Sequence, residues 1–280
     1  MKVLHELTHF KSVCYDDIRA KIDWNFRYKA MPDLLTRAKP TELLFNPESW
    51  PDENDKAETR LRAALLELAP ADGLVARERV RELENEHGKR RGWVWAKMER
   101  SPMATALELL AALALKTAKP LNGASLEELA KHYETDGYEV DLTLLRALAE
   151  GKSNQYRAAI QAAARALYLP WARTAAEHFQ QLAANTPFDG ADPLIEANVG
   201  ECLLFADGLR YDLGQALRVL CEERGLRVAM ERRWAGTPTV TATAKPAVSP
   251  VAGLLHGGVT LPENFAGLSR GEPLGALRGH

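Results

Sequence analysis

Apolar and polar positions alternate in two different ways along this chain, and the change of rhythm divides it. From residue 1 to about 185 the period is helical throughout. In "SPMATALELLAALALKT" Ser101 stands as N-cap with Pro102 at the first helical position, an order that starts helices. "SLEE" at 125–128 reads as a capping box, in which Ser125 and Glu128 satisfy free amides at the helix start. The longest stretch runs from Asn154 to Asn185, with Ile160, Ala164, Leu167, Trp171, Ala175, Phe179 and Leu182 on one face. Pro170 is expected to kink or split it. "KPTELLFNPESWPDEND" at 39–55, rich in proline and polar residues, reads as a surface loop.

The helical rhythm breaks at 186–199, "TPFDGADPLIEANV", which marks a linker. Beyond it, in 200–280, Cys202-Leu203-Leu204-Phe205-Ala206 reads as a strand buried on both faces. A helix follows from Tyr211 to Glu223, with Leu213, Leu217 and Leu220 on one stripe, then a second strand candidate at 227–232. This is β–α–β order, so the expected fold is a helical N-terminal domain followed by the start of an α/β domain with an incomplete sheet. The two strands are expected to be parallel neighbours joined by a right-handed crossover. Two strands alone do not make a stable sheet, and 259–280 reads as a loop.

Bulk properties narrow the function. A hydrophobic content of 46% can supply a core, and a net charge of −2 gives no global field for nucleic acid or anionic membrane. Cys14, Cys202 and Cys221 are scattered, without the spacing of a disulfide framework, which fits a reducing compartment such as the cytoplasm. "MKVLHELTHFK" turns polar before a signal-peptide core forms, and the longest apolar run, "LLAALAL", is too short to span a bilayer.

The candidate chemistry gathers in the second half. Ligands of α/β sheets sit beyond the carboxyl ends of the strands, which is where Asp207 falls. Such a residue can be a metal ligand or acid/base, or it can simply cap the next helix. "TPTVTATAKPAVSP" then carries Thr237, Thr239, Thr241 and Thr243 ahead of a short helix expected from about Ala244. A hydroxyl before a helix N-terminus suits attack on phosphorus or sulfur, because oriented amides meet the developing anion; a plain capping turn is the alternative. Arg210 and Asp212 can support such a site or pair with each other, and His256 in "LLHGG" is a further candidate.

"FADGLRYDLG" followed by "TPTVTATAKPA" resembles the start of a PglZ domain, a branch of the alkaline-phosphatase superfamily found in bacterial BREX phage-exclusion systems. "RRGWVWAKMERSPMATALELLAAL" and "ALYLPWARTAAEHFQ" are similar to the helical region that precedes that domain. The resemblance implies an alkaline-phosphatase-like α/β domain and a metal-dependent phosphatase or phosphodiesterase with a two-metal site, zinc above all. It implies Asp207 as a metal ligand and Thr241 as the nucleophile that also touches metal. Thr241 fits the superfamily's P-S/T-x-T spacing from Pro238 better than Thr239 or Thr243. The implied partners are other BREX proteins, an adenine methyltransferase and an AAA+ ATPase, with nucleic acid as a further possibility. The chain departs from the pattern after Asp212, where it has no Asp and only His256 and His280, whereas a two-metal site needs several ligands per ion. The expectation is therefore a portion of a longer protein, or a degenerate copy, that by itself binds metal weakly and hydrolyses phosphoesters negligibly.

Other readings stand beside this one. A non-catalytic interaction module of a defence complex is the alternative. "HELTH" at 5–9 matches H-E-x-x-H, which on a helix would make His5 and His9 zinc ligands and Glu6 the base of a protease. "HGKRR" at 87–91 is a basic cluster that could meet a phosphate backbone or form a solvated loop. Trp93, Trp95 and Trp171 read as packing residues, and His132 and His178 as structural.

Overall fold

The computed structural model describes residues 50–184, 198–202, 204, 206, 208–232 and 234, together with the backbone of three short strands. The chain divides into two compact units: Met1–Pro120 with Thr143–Arg173, and Leu121–Leu142 with Thr174–His280. The division runs through two helices. The expected linker at 186–199 lies largely outside the described residues.

In the first unit, α1 (Pro51–Leu66), α2 (Gly73–His87), a 3-10 turn (Gly88–Gly92), α3 (Val94–Lys97) and α4 (Pro102–Lys116) follow in order. Helix α4 packs against α1, α2 and the 3-10 turn. It is apolar on most of its circumference, as a central helix must be, and buries Met103, Leu107, Leu110 and Leu113 completely. Asp72 caps α2 by accepting from the Leu74 and Val75 amides, both at 2.9 Å.

One expectation fails at α1. Residues 51–55 are its first turn, not a loop, with Pro51 at the first position and Asp52 and Glu53 beside the positive helix end. Proline and acids mark a helix start as readily as a loop, and the apolar residues that follow decide between them: Ala57, Leu61 and Leu65 are buried.

The first unit also takes most of α6 (Tyr138–Ala149) and the N-terminal two-thirds of α7 (Asn154–Ala183). Ile160, Ala164, Leu167 and Trp171 are buried as the face pattern required, and Trp171 Nε1 donates to the Lys119 carbonyl at 2.9 Å. Helix α7 is not split at Pro170: the helix continues through it.

The second unit begins with α5 (Leu126–His132), whose amide at Glu128 bonds the Ser125 hydroxyl at 3.2 Å while Glu128 Oε2 accepts from Ala124 at 2.9 Å. This is the expected capping box, its return bond placed one residue earlier. A π turn (Tyr133–Gly137) leads into α6. Helix α8 (Tyr211–Glu222) forms where the sequence placed it.

Among the described residues the expected strands on either side of α8 are not shown. Glu201, Cys202, Leu204 and Ala206 lie in no ladder and are exposed, Leu204 at 89%. Residues 226–232 pair with no strand either. A five-residue apolar run is a buried strand only when partners cover its edges and faces, and among the described residues none do. The strand pairing among the described residues is antiparallel: β1 (Leu255–Gly257), then β2 (Gly267–Ser269) and β3 (Glu272–Pro273) within the stretch read as a loop, with Leu255 opposite Ser269 and Leu268 opposite Pro273. Antiparallel strands need only short connections, whereas a parallel pair needs a covered crossover. Among the described residues no helix is long and apolar enough to cross a membrane.

Candidate functional site

Two clusters of buried charge carry the local chemistry, one in each unit. In the first unit the "HGKRR" stretch turns inward. Arg90 is 2% exposed and donates through Nη2 to Glu58 Oε1 at 2.6 Å and Asn54 Oδ1 at 2.8 Å. Glu58 in turn accepts from the amides of Met103 at 2.8 Å and Ala104 at 3.3 Å. It thus caps α4 from across the core, and the Ser101 hydroxyl, freed from capping, donates to Asn54 Oδ1 at 2.8 Å. Arg91 pairs with Glu84. The stretch is therefore a 3-10 turn in which Arg90 is committed inside the protein and Arg91 to a part-buried carboxylate, while Lys89 is exposed.

His87, beside this cluster, is buried. Its Nδ1 lies 3.4 Å from Arg90 Nη1, which can only donate, so the ring proton sits on Nε2, facing Glu86 at 3.3 Å. Burial holds the imidazole below its ordinary value; Glu86 offsets part of this, and Arg90, Arg60 and Arg79 add to it. His132 and His178 also serve structure: His132 bonds the Asn122 carbonyl, and His178 Nε2 the Gly123 carbonyl at 2.7 Å.

The second cluster stands at the start of α8. Arg210 and Asp212, expected either to support a site or to pair, do pair: Nε reaches Oδ1 at 3.0 Å and Nη2 reaches Oδ2 at 3.2 Å. Arg210 Nη2 also lies 3.4 Å from Asp141 Oδ2, which accepts the Tyr133 hydroxyl at 2.6 Å. Burial, then the bond to Asp141, pushes the Tyr133 phenol far above its ordinary value. Burial works against the Arg210 charge, but Asp212 and Asp141 outweigh it and raise the guanidinium. Asp212 is 0% exposed and chelated by Arg210, so it does not fit the role of a metal ligand.

Arg210 opens onto a groove of about 690 Å³, wholly within the second unit. Its walls come from α5, the π turn, the end of α7, α8, and Val228, Met230, Glu231, Arg232 and Trp234. The floor is apolar, with Leu129, Phe179, Leu217, Val228, Met230 and Trp234 among its residues. Phe179 and Trp234 face each other with ring centroids 6.1 Å apart. Tyr211 sits 6.0 Å from Tyr133 and 5.9 Å from Tyr138, bracing the start of α8. This volume and an apolar lining with a few charged groups are typical of small-molecule pockets.

The remaining sequence candidates are not brought together by the described residues. Asp207, Thr237, Thr239, Thr241 and Thr243 lie outside them, as do His5, Glu6 and His9. His256 is on β1, with only its backbone described. Among the described residues no group of three His, Cys, Asp or Glu side chains is placed to hold a metal ion. Comparison with protein-family models, with curated proteins and with solved structures finds no match to this chain.

Proposed function

We propose that this chain is a PglZ-like component of bacterial phage defence, with a helical N-terminal part followed by the beginning of an alkaline-phosphatase-like, metal-dependent phosphohydrolase domain. The observation that carries the reading is the pair of stretches "FADGLRYDLG" and "TPTVTATAKPA". Two local features support it. Gly208, directly after Asp207, has φ +72, a left-handed turn that glycine adopts without strain, and α8 starts three residues later. In sequence, Asp207 directly precedes this glycine turn and the helix start.

In this reading Asp207 and Thr241 would hold a divalent cation, zinc first among them. The Thr241 oxygen would take the phosphoryl group while the ester's P–O bond breaks and its alcohol leaves with the hydroxyl proton, water then hydrolysing the phosphothreonine. The ion would lower the cost of ionising that hydroxyl and of charge on the phosphoryl oxygens. The partners are the adenine methyltransferase and AAA+ ATPase of the same system, in the cytoplasm. The test is zinc and manganese titration, together with chromogenic phosphodiester hydrolysis, on wild type, Asp207→Ala and Thr241→Ala. Metal affinity should fall by at least the roughly 10–100-fold that loss of a mere supporting group costs. Whatever turnover exists should vanish in both variants. Metal binding indifferent to both substitutions overturns the reading.

The groove of the second unit favours a second reading, a non-catalytic binding module. There the substitutions at 207 and 241 change nothing, and ligand or partner binding depends on groove residues instead.

A further inference from the structure

We propose that the groove of the second unit is a binding site for an organic anion with an apolar body, such as a medium-chain carboxylate. The inference concerns a ligand that neither the metal reading nor its nucleophile requires.

Arg210, Arg218 and Arg232 all line the groove, against only two carboxylates, Glu134 and Glu231. Arg210 spends Nε and Nη2 on Asp212 and Asp141. Arg218 spends Nε on Gln215 and Nη1 on Glu222. Arg232 spends Nη2 on Glu127 and Nε on Glu134. Each guanidinium is thereby held by two of its nitrogens and keeps the third, which has no acceptor among the described residues: Nη1 of Arg210, Nη2 of Arg218 and Nη1 of Arg232. Glu134 is consumed by Arg232, so among the lining residues Glu231 is the one carboxylate left against three unspent guanidinium nitrogens.

Donors fixed in advance lose little freedom when an acceptor arrives, and a charged acceptor gives the stronger hydrogen bond. The rest of the lining offers apolar and aromatic surface and little else. An anionic head on an apolar body satisfies both halves; a neutral apolar molecule leaves the donors unused, and a small hydrophilic anion leaves the floor wet. Gly214 of α8 keeps the groove open beside Met230, since a Cβ there would come within 3.1 Å of Met230 Cε.

The probe is 8-anilinonaphthalene-1-sulfonate, an aromatic anion that fluoresces on leaving water, displaced by dodecanoate or by the uncharged dodecanol. Wild type should bind the dye saturably, and dodecanoate should displace it about 10- to 100-fold better than dodecanol, as one or two charge-assisted bonds require. Arg218→Gln and Arg232→Gln, each losing only partly exposed pairs, should narrow that ratio while circular dichroism stays unchanged. Arg210→Gln should narrow it most; should that variant unfold, the other two decide. Gly214→Leu should weaken dye binding at least about tenfold by filling the groove. Absent saturable binding, equal displacement by acid and alcohol, a ratio unchanged in the glutamine variants, or a Gly214→Leu protein that binds normally would each overturn the proposal.

Discussion

The two units solve one problem, an arginine held by buried carboxylates, with opposite exposures. Arg90 is 2% exposed, while the Arg210 side chain is 52% exposed although its partners Asp141 and Asp212 are buried. In the first cluster the charge is a strut: it joins α1 to the 3-10 turn and, through Glu58, to the first turn of α4. In the second, the carboxylates fix a guanidinium that lines the groove. An enclosed pair can only hold elements together, whereas a pair at the lip of a cavity also orients a donor toward what enters.

Removing the carboxylate should therefore cost most where the arginine has no water to fall back on. Glu58→Ala strands Arg90 in the core and uncaps α4, and urea unfolding should show a loss of about 3–5 kcal/mol. Asp212→Ala leaves Arg210 able to turn toward solvent, so the loss should be smaller, about 1–3 kcal/mol. Equal losses would erase the distinction between the two clusters.

The titrating neighbours sharpen the contrast further. Tyr133→Phe removes the hydroxyl bonded to Asp141 and should cost about 1 kcal/mol at neutral pH. The raised Tyr133 pKa means the folded protein keeps the phenol protonated while the unfolded chain ionises above its ordinary value of 10.0. Stability should thus fall as pH rises beyond that value, and Tyr133→Phe should flatten this alkaline limb. His87 works in the other direction. Its folded pKa is lowered from 6.5, so the unfolded chain takes up the proton first. Stability is then full above 6.5 and is lost as pH falls through the lowered folded value, a limb that His87→Gln should flatten in acid-side melts. A protein whose pH limbs survive both substitutions would place the titrating groups elsewhere.

Much of the helical framework could be read from one dimension. Ser125 and Glu128, Pro102 and the 154–183 stripe are local signals, and local signals survive without knowledge of the fold. The charged cluster of the first unit could not be read this way. Glu58 and Arg90 are 32 residues apart, and nothing in "HGKRR" distinguishes a basic patch from a buried strut until α1 lies beside it. The groove was equally hidden, because Leu129, Phe179, Leu217 and Trp234 come from four segments that meet only on folding. The run at 202–206 shows the same limit: apolar residues report a wish for cover, and the described members, Cys202, Leu204 and Ala206, are exposed among the described residues. Of the site inferred from the family resemblance, the Arg210–Asp212 pair is the part the described residues carry, and there the simpler of two alternatives holds.

The uninterrupted course of α7 through Pro170 has a consequence for how its amides exchange with deuterium. Proline has no N–H, so the carbonyl of the buried Ala166 has no donor from its usual partner and the ladder loses one rung there. N-terminal to that gap the helix buries Ile160, Ala163, Ala164 and Leu167; beyond Trp171 its residues are half-buried or exposed. Protection should therefore step down within the one helix: amides at 160–168 opening only with the first unit as a whole, amides beyond 173 opening by local fraying. One continuous rod would then show two separate exchange populations, with their border at its proline.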